Sequence, residues 1–136
     1  MTKSKERVKA TGEVFTPDWL VEEMLDKLPS SVFTEPTKTF IDPACGNGNF
    51  LVQVVKRKIE NGSTPLQALS TTYGVDIMED NIAECRQRLF KVAFELNNQQ
   101  YDASWREPLM NNIICGNALE SELETLFGED TPARSR

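Results

Sequence analysis

The 136-residue chain contains no histidine. Histidine-based acid–base chemistry and imidazole metal ligands are therefore excluded within it. Its cysteines, Cys45, Cys85 and Cys115, are odd in number and form no Cys-x-x-Cys pair. That pattern supports neither a disulfide framework nor a zinc site, and it fits reduced thiols in a cytoplasm. No apolar run approaches the ~20 residues that a membrane-spanning helix needs. The basic opening MTKSKERVKATGE lacks the apolar stretch of a secretory signal. Positive charge is also short: 15 lysines and arginines face 21 acids, for a formal net charge of −6. A domain gripping DNA by itself would ordinarily be basic, because its affinity comes largely from neutralising phosphates. The clusters at Lys3, Lys5, Arg7 and Lys9, and at Arg134 and Arg136, read as solvated termini.

The length suits one domain with one core. Residues 1–13 read as a flexible basic lead, residues 14–128 as the folded domain and residues 129–136 as a tail. Thr16-Pro17-Asp18 predicts a helix start, with threonine as cap, proline at the first helical position and aspartate at the positive helix end. Leu20, Val21, Met24, Leu25 and Leu28 follow at helical spacing, and Pro29 with the serines beyond it stops the helix. Thr39-Phe40-Ile41-Asp42 reads as a short strand. A loop with two glycines, Pro43 to Asn49, leads into a helix with Leu51, Val54, Val55 and Ile59 on one face. Asn49 is its candidate cap, and Asn61-Gly62 ends it.

Thr64-Pro65 opens a short helix through Ala68-Leu69, and Thr72 to Asp76 forms the next strand. A longer helix begins near Glu79, with Ile82, Cys85, Leu89, Ala93 and Leu96 as its apolar stripe. Residues 97–110 read as polar and turn-rich. Residues 112–115 form a third strand ending in Gly116-Asn117, and residues 121–127 a last short helix. Strands alternating with helices imply βαβ units: an α/β chain with a parallel sheet, half of a doubly wound fold.

The glycine loop leaves the carboxyl end of a parallel strand, where open α/β sheets bind ligands. Gly46 and Gly48 let backbone approach a ligand without an intervening Cβ. The loop has neither the GxxxxGK[ST] nor the GxGxxG pattern. Asp42, at the strand end, would repel a pyrophosphate and suits a cationic ligand. Asp76 ends the second strand, 34 residues later. In doubly wound folds an acid there accepts hydrogen bonds from ribose hydroxyls; taken alone, it reads equally well as a helix cap.

Asp42-Pro43-Ala44-Cys45-Gly46-Asn47-Gly48-Asn49-Phe50 resembles the first motif of the gamma-type N6-adenine DNA methyltransferases of restriction–modification systems. Gly12-Glu13-Val14-Phe15-Thr16-Pro17 resembles the cofactor motif ahead of their first strand. Gly74-Val75-Asp76-Ile77 resembles their second motif, and Cys115-Gly116-Asn117-Ala118-Leu119 their third. The four matches keep the family's order and span residues 12–119. The resemblance implies a partial Rossmann-like S-adenosylmethionine-dependent methyltransferase fold, a parallel sheet with flanking helices.

It also implies roles. Phe15 and Thr16 contact the cofactor S-adenosylmethionine from the N-terminal side, and Asp42, Ala44 and Gly46 surround its methionine part. Asp76 holds the ribose, Ile77 packs on the adenine, and Asn117 receives the adenine amino group. Family members more often carry aspartate at the place of Asn117; asparagine keeps a carbonyl acceptor without the charge. A sulfonium cation on adenosine asks for such a set: an acid near the cation, amides for its carboxylate, an acid for the ribose and an apolar wall.

The family's catalytic motif, (Asn/Asp)-Pro-Pro-aromatic, ends the fourth strand and holds a flipped-out adenine. The prolines at 17, 29, 36, 43, 65, 108 and 132 are nowhere adjacent. No catalytic residue and no metal ligand are therefore assigned. The resemblance is to a site-specific adenine DNA methyltransferase whose catalytic part is missing, so the chain is expected to be inactive alone.

The chain would be a natural short protein, one piece of a split enzyme, or a cut-down part. Without a fourth strand, the strand at 39–42 is expected to expose one edge, to be covered by a protein partner or a second copy. DNA is expected as a partner only of a completed enzyme, and no membrane is expected. A non-catalytic methyltransferase-derived binding module, acting through a protein partner, is the alternative. A complete small-molecule or RNA methyltransferase with another acceptor site is the least supported reading.

Overall fold

The computed structural model describes residues 15–117. Ahead of the first strand stand α1 (Asp18–Asp26) and a single helical turn, α2 (Ser31–Thr34). Then come β1 (Phe40–Asp42), α3 (Asn49–Glu60), α4 (Pro65–Ser70), β2 (Thr72–Asp76) and α5 (Glu79–Leu96). A 3₁₀ turn at Ala103–Trp105 runs into α6 (Arg106–Asn112), and β3 (Ile113–Cys115) follows. The three strands pair in the order β1-β2-β3, all parallel. This is the partial Rossmann-like architecture expected from the alternation of strands and helices. The lead at 1–13, the helix at 121–127 and the tail at 129–136 lie outside the described residues.

Both crossovers step in one direction across the sheet, so right-handed connections place α3 to α6 on one face. The apolar spacing of α3 buries Leu51, Val54 and Val55; that of α5 buries Ile82, Cys85, Leu89 and Ala93. These stripes meet over Phe40 and Ile113 of the sheet. Gly74 is needed for that approach: a Cβ there would lie 2.5 Å from Leu51 Cδ1 and 3.0 Å from Cys45 Sγ. The alternate strand residues Ile41, Tyr73, Val75 and Ile114 belong to the other face.

The helices differ from the expected ones at several points. Thr16 does not cap α1: Pro17 takes the N-cap position without a side-chain cap, and its carbonyl accepts from the Leu20 and Val21 amides at 3.1 and 3.0 Å. Residues 103–112 are helical rather than turn-rich. Pro108 is the third residue of α6, where a backbone N–H has no intrahelical partner to lose. Asp102 caps the segment through the Ser104 amide at 2.8 Å, and buried Trp105 and Leu109 anchor it. The turn α2 was also unforeseen. Arg57 of α3 holds it and α1, lying 5.4 Å from the Phe33 ring centroid and 2.8 Å from the Asp26 carboxylate. Among the described residues, no helix is long and apolar enough to cross a membrane.

Candidate ligand site at the carboxyl ends of the strands

Because the strands are parallel, their carboxyl ends share one rim, with Asp42 closing β1 and Asp76 closing β2. The rim is tied together beyond the strands: the Cys45 amide donates to the Val75 carbonyl, and the Gly116 amide to the Asp76 carbonyl, both at 2.9 Å. Between β1 and α3 the chain turns through left-handed backbone at Gly46 (φ 54°) and Gly48 (φ 97°), a region that favours glycine. Space requires glycine as well. A Cβ on Gly46 would meet the Phe15 ring at 3.1 Å, and one on Gly48 would meet Cys85 Sγ at 2.8 Å.

The two strand-end acids do different work. Asp42 Oδ1 accepts from the Ala44 amide at 3.1 Å. Burial pushes the Asp42 carboxyl above its ordinary range; the Ala44 amide opposes this, and the neighbouring Asp76 carboxylate adds to it. Asp42 is thus an acid with no cationic partner among the described residues. Asp76 is an organiser. Its Oδ1 accepts from the Gly46 amide at 3.2 Å, and its Oδ2 from the Met78 amide and Asn81 Nδ2, both at 3.0 Å. A carboxylate offers about four acceptor sites, so Oδ1 keeps room for one more donor.

Phe15, Asp42, Ala44, Gly46 and Asp76 are therefore brought into one contiguous arrangement. Ile77 follows Asp76 on the rim and is 58% exposed, an apolar side chain left in the open. Asn117 is exposed just past β3. Thr16 contributes its carbonyl, which accepts from Asn49 Nδ2 at 2.8 Å. That contact corrects the expected role of Asn49: the N-cap of α3 is Gly48, and Asn49 is the first helical residue.

Sequence reasoning did not single out Glu84, Arg88 or Asn81, all on α5. Asn47 Nδ2 donates to Glu84 Oε2 at 2.6 Å, and Arg88 Nη1 reaches the Asn47 carbonyl at 3.0 Å and Asn49 Oδ1 at 2.7 Å. Their one sequence signal is the i, i+4 spacing of Glu84 and Arg88 beside the apolar stripe. Beneath the loop, contact with the Cys85 thiol and then burial push the Cys45 thiol far above its ordinary value, so it stays protonated and packs as a small apolar group.

A glycine loop and two strand-end acids on one rim of a parallel sheet define the class: a methyltransferase-type α/β domain. The N-6 DNA Methylase family matches residues 2–122, and this chain belongs to it. Type II methyltransferase M.VspI of Vibrio sp. (strain 343) is 37% identical over 78 residues, which are 57% of this chain and 16% of that protein. The mRNA cap guanine-N(7) methyltransferase 1 of Arabidopsis thaliana is 25% identical over 101 residues, 74% of this chain and 23% of that protein. The chain thus spans less than a quarter of either relative. No solved structure matches it.

Proposed function

We propose that this chain is the S-adenosylmethionine-binding part of an adenine-specific DNA methyltransferase of the restriction–modification type. The observation that carries the reading is the Gly46 amide on the Asp76 carboxylate, which fastens the glycine loop of β1 to the acid of β2. The residues suit the cofactor. Asp42 is a half-buried carboxylate suited to a cation, and Gly46, having no side chain, lets the Phe15 ring close over the loop. Asp76 has acceptor capacity left for a ribose hydroxyl. Ile77 offers an apolar wall for adenine, and Asn117 an acceptor for its amino group. Ala44 lines the methionine part, and Phe15 and Thr16 contact the cofactor from the N-terminal side. When bound, the cofactor supplies an electrophilic methyl group on its sulfonium; the chain's own residues bind and orient it. Calorimetry with S-adenosylhomocysteine tests the reading, and absence of binding to the chain, alone and with its partner, would overturn it.

The adenine acceptor is a different matter. With no adjacent prolines, this chain offers no motif to accept the amino proton or to stack on a flipped base. Incubation of the chain alone with tritiated cofactor and unmethylated DNA is expected to give no incorporation. Incorporation that scales with protein would place catalytic residues within these 136 residues. If cofactor binds and no completing partner confers transfer, the alternative of a non-catalytic binding module takes over.

The partner surface we propose is the outer edge of β1. Among the described residues no strand pairs there. Beside it lies a groove of about 490 Å³ lined by Met24, Leu25, Leu28, Phe40, Ile41 and Phe50 among others, with Met24 46% exposed. Unpaired strand edges and apolar patches recruit partners. A partner chain or a second copy that adds a strand would complete the sheet, and DNA would then meet the completed enzyme. Light scattering is expected to show a species larger than the monomer, or a shift to one with the partner. The Phe40 amide already donates to the Thr71 carbonyl of the β2 side, so the Ile41 amide, next along the strand, is the one that reports on the outer edge. A stable monomer in which that amide exchanges slowly would refute this.

A further inference from the structure

We infer that Arg88 is a positioning residue that holds the Phe15–Thr16 segment over the glycine loop, acting through the side chain of Asn49. This inference rests on the cofactor reading above, because what Arg88 positions is the two sides of that site.

The contacts form a relay with a direction. Arg88 Nη1 carries two hydrogens; one goes to the Asn47 carbonyl at 3.0 Å and the other to Asn49 Oδ1 at 2.7 Å. The Asn49 amide then has one orientation open to it: oxygen toward the guanidinium, nitrogen away. Its Nδ2 donates to the Thr16 carbonyl at 2.8 Å. Thr16 follows Phe15, whose ring stands 3.1 Å from where a Cβ of Gly46 would be. A guanidinium on α5 thus fixes an amide on α3, and that amide fixes the backbone beside the ring that roofs the loop.

Glu84, one helical turn earlier on α5, accepts from Asn47 Nδ2 at 2.6 Å. Glu84 and Arg88 therefore grip the loop from the side chain and the carbonyl of the same residue. Asn47 is 6% exposed, so water competes little for these bonds. Bonds to a charged donor or acceptor are among the stronger ones in proteins.

The relay predicts a result that a plain stabilising contact would not. Asn49→Asp keeps an oxygen for Arg88 and strengthens that contact with a charge. It also places a carboxylate at the first position of α3, where negative charge favours the helix. Thermal stability should be held or raised. Yet the substitution sets oxygen against the Thr16 carbonyl, so the segment is released.

S-adenosylhomocysteine affinity of Asn49→Asp is expected to fall about fivefold, the value of the one neutral amide–carbonyl hydrogen bond to Thr16 that is lost. Arg88→Met should lose a similar factor, and Arg88→Lys should recover part of it. The double variant Arg88→Met, Asn49→Asp should be no weaker than the weaker single one, because both cut the same relay. Hydrogen exchange of the ligand-free proteins supplies a second readout: peptides covering residues 15–20 should exchange faster in Asn49→Asp and Arg88→Met.

A parent that binds while Asn49→Asp and Arg88→Met bind equally well would overturn the inference and leave the cofactor reading standing. A parent that fails to bind overturns the cofactor reading. Exchange at residues 15–20 then still decides the relay, and unchanged exchange in both variants would sink it.

Discussion

Replacing Asp76 by alanine is expected to weaken S-adenosylhomocysteine binding about 100-fold and to lower Tm at the same time. Two ribose hydroxyls on a carboxylate are each worth roughly 1.5–3 kcal/mol. The lower value applies here, because the acid is already engaged. Asp76 accepts from Gly46, Met78 and Asn81, so holding both hydroxyls asks one of these donors to yield. The Gly46 bond, at 3.2 Å, is the longest of the three. Two bonds at about 1.5 kcal/mol come to about 3 kcal/mol, or roughly 100-fold. The drop in Tm follows from the same contacts: alanine leaves a loop amide, a helix-start amide and the buried Asn81 side chain without their charged acceptor.

Asp76→Asn separates the two effects. It keeps one oxygen for a donor but turns an NH₂ toward groups that themselves donate. Its affinity and Tm should fall between those of the parent and of alanine. Calorimetry at a temperature where all three proteins are folded is the measurement. Unchanged affinity in Asp76→Ala, with a parent that binds, would remove Asp76 from the ligand site and leave it as a loop organiser alone.

The sheet was legible because short strand runs alternate along the chain with helical ones, which implies parallel βαβ units. The run from Thr72 to Asp76 is one of them, and β2 has those bounds. The site acids were legible for a related reason: strands of three to five residues with an acid last put that acid on the rim. Side chains that can satisfy more than one partner were not legible. Thr16 and Asn49 have the chemistry of helix caps, and nothing local says otherwise. What decides Asn49 is Arg88, 39 residues away in sequence. The helix at 106–112 was missed because its segment reads as polar, although Pro108 suits the first turn of a helix as well as a loop. Glu84 and Arg88 lie on the polar side of an amphipathic helix, where a charged pair looks like any solvated surface until the glycine loop is folded against it.

Lys58 was not singled out from the sequence, which placed Ile59 on the buried face of α3. Leu51, Val54 and Val55 set the buried stripe of α3, and the helical period puts residue 58 on it. There Lys58 is 1% exposed. Its ammonium donates to the Lys38 carbonyl at 3.0 Å, the Thr71 carbonyl at 3.2 Å and Thr71 Oγ1 at 2.7 Å. Those carbonyls stand just ahead of β1 and β2, so one side chain pins the amino ends of both strands. Burial lowers its pKa from the ordinary 10.5 to about 8.

The folded chain therefore gives up this proton near pH 8, and the unfolded chain near 10.5. Between those values the unfolded state holds more proton, so stability rises with pH across the window. Below pH 8 the cost of the buried charge is present in full; above 10.5 it is gone. At about 1.36 kcal/mol per pH unit the gain is at most about 3 kcal/mol. The three hydrogen bonds favour the charged form and so reduce that ceiling.

Lys58→Met isolates the effect, because other titrating groups are common to both proteins. Near pH 7 the two should be of similar stability. Methionine removes a buried charge but strands the Lys38 and Thr71 carbonyls, a loss of about 1–3 kcal/mol for each. Raising the pH through the window should then favour the parent over Lys58→Met by up to about 3 kcal/mol, read from denaturant unfolding at both ends. A difference that stays flat with pH would mean that the hydrogen bonds to Lys38 and Thr71 fully offset the desolvation of Lys58.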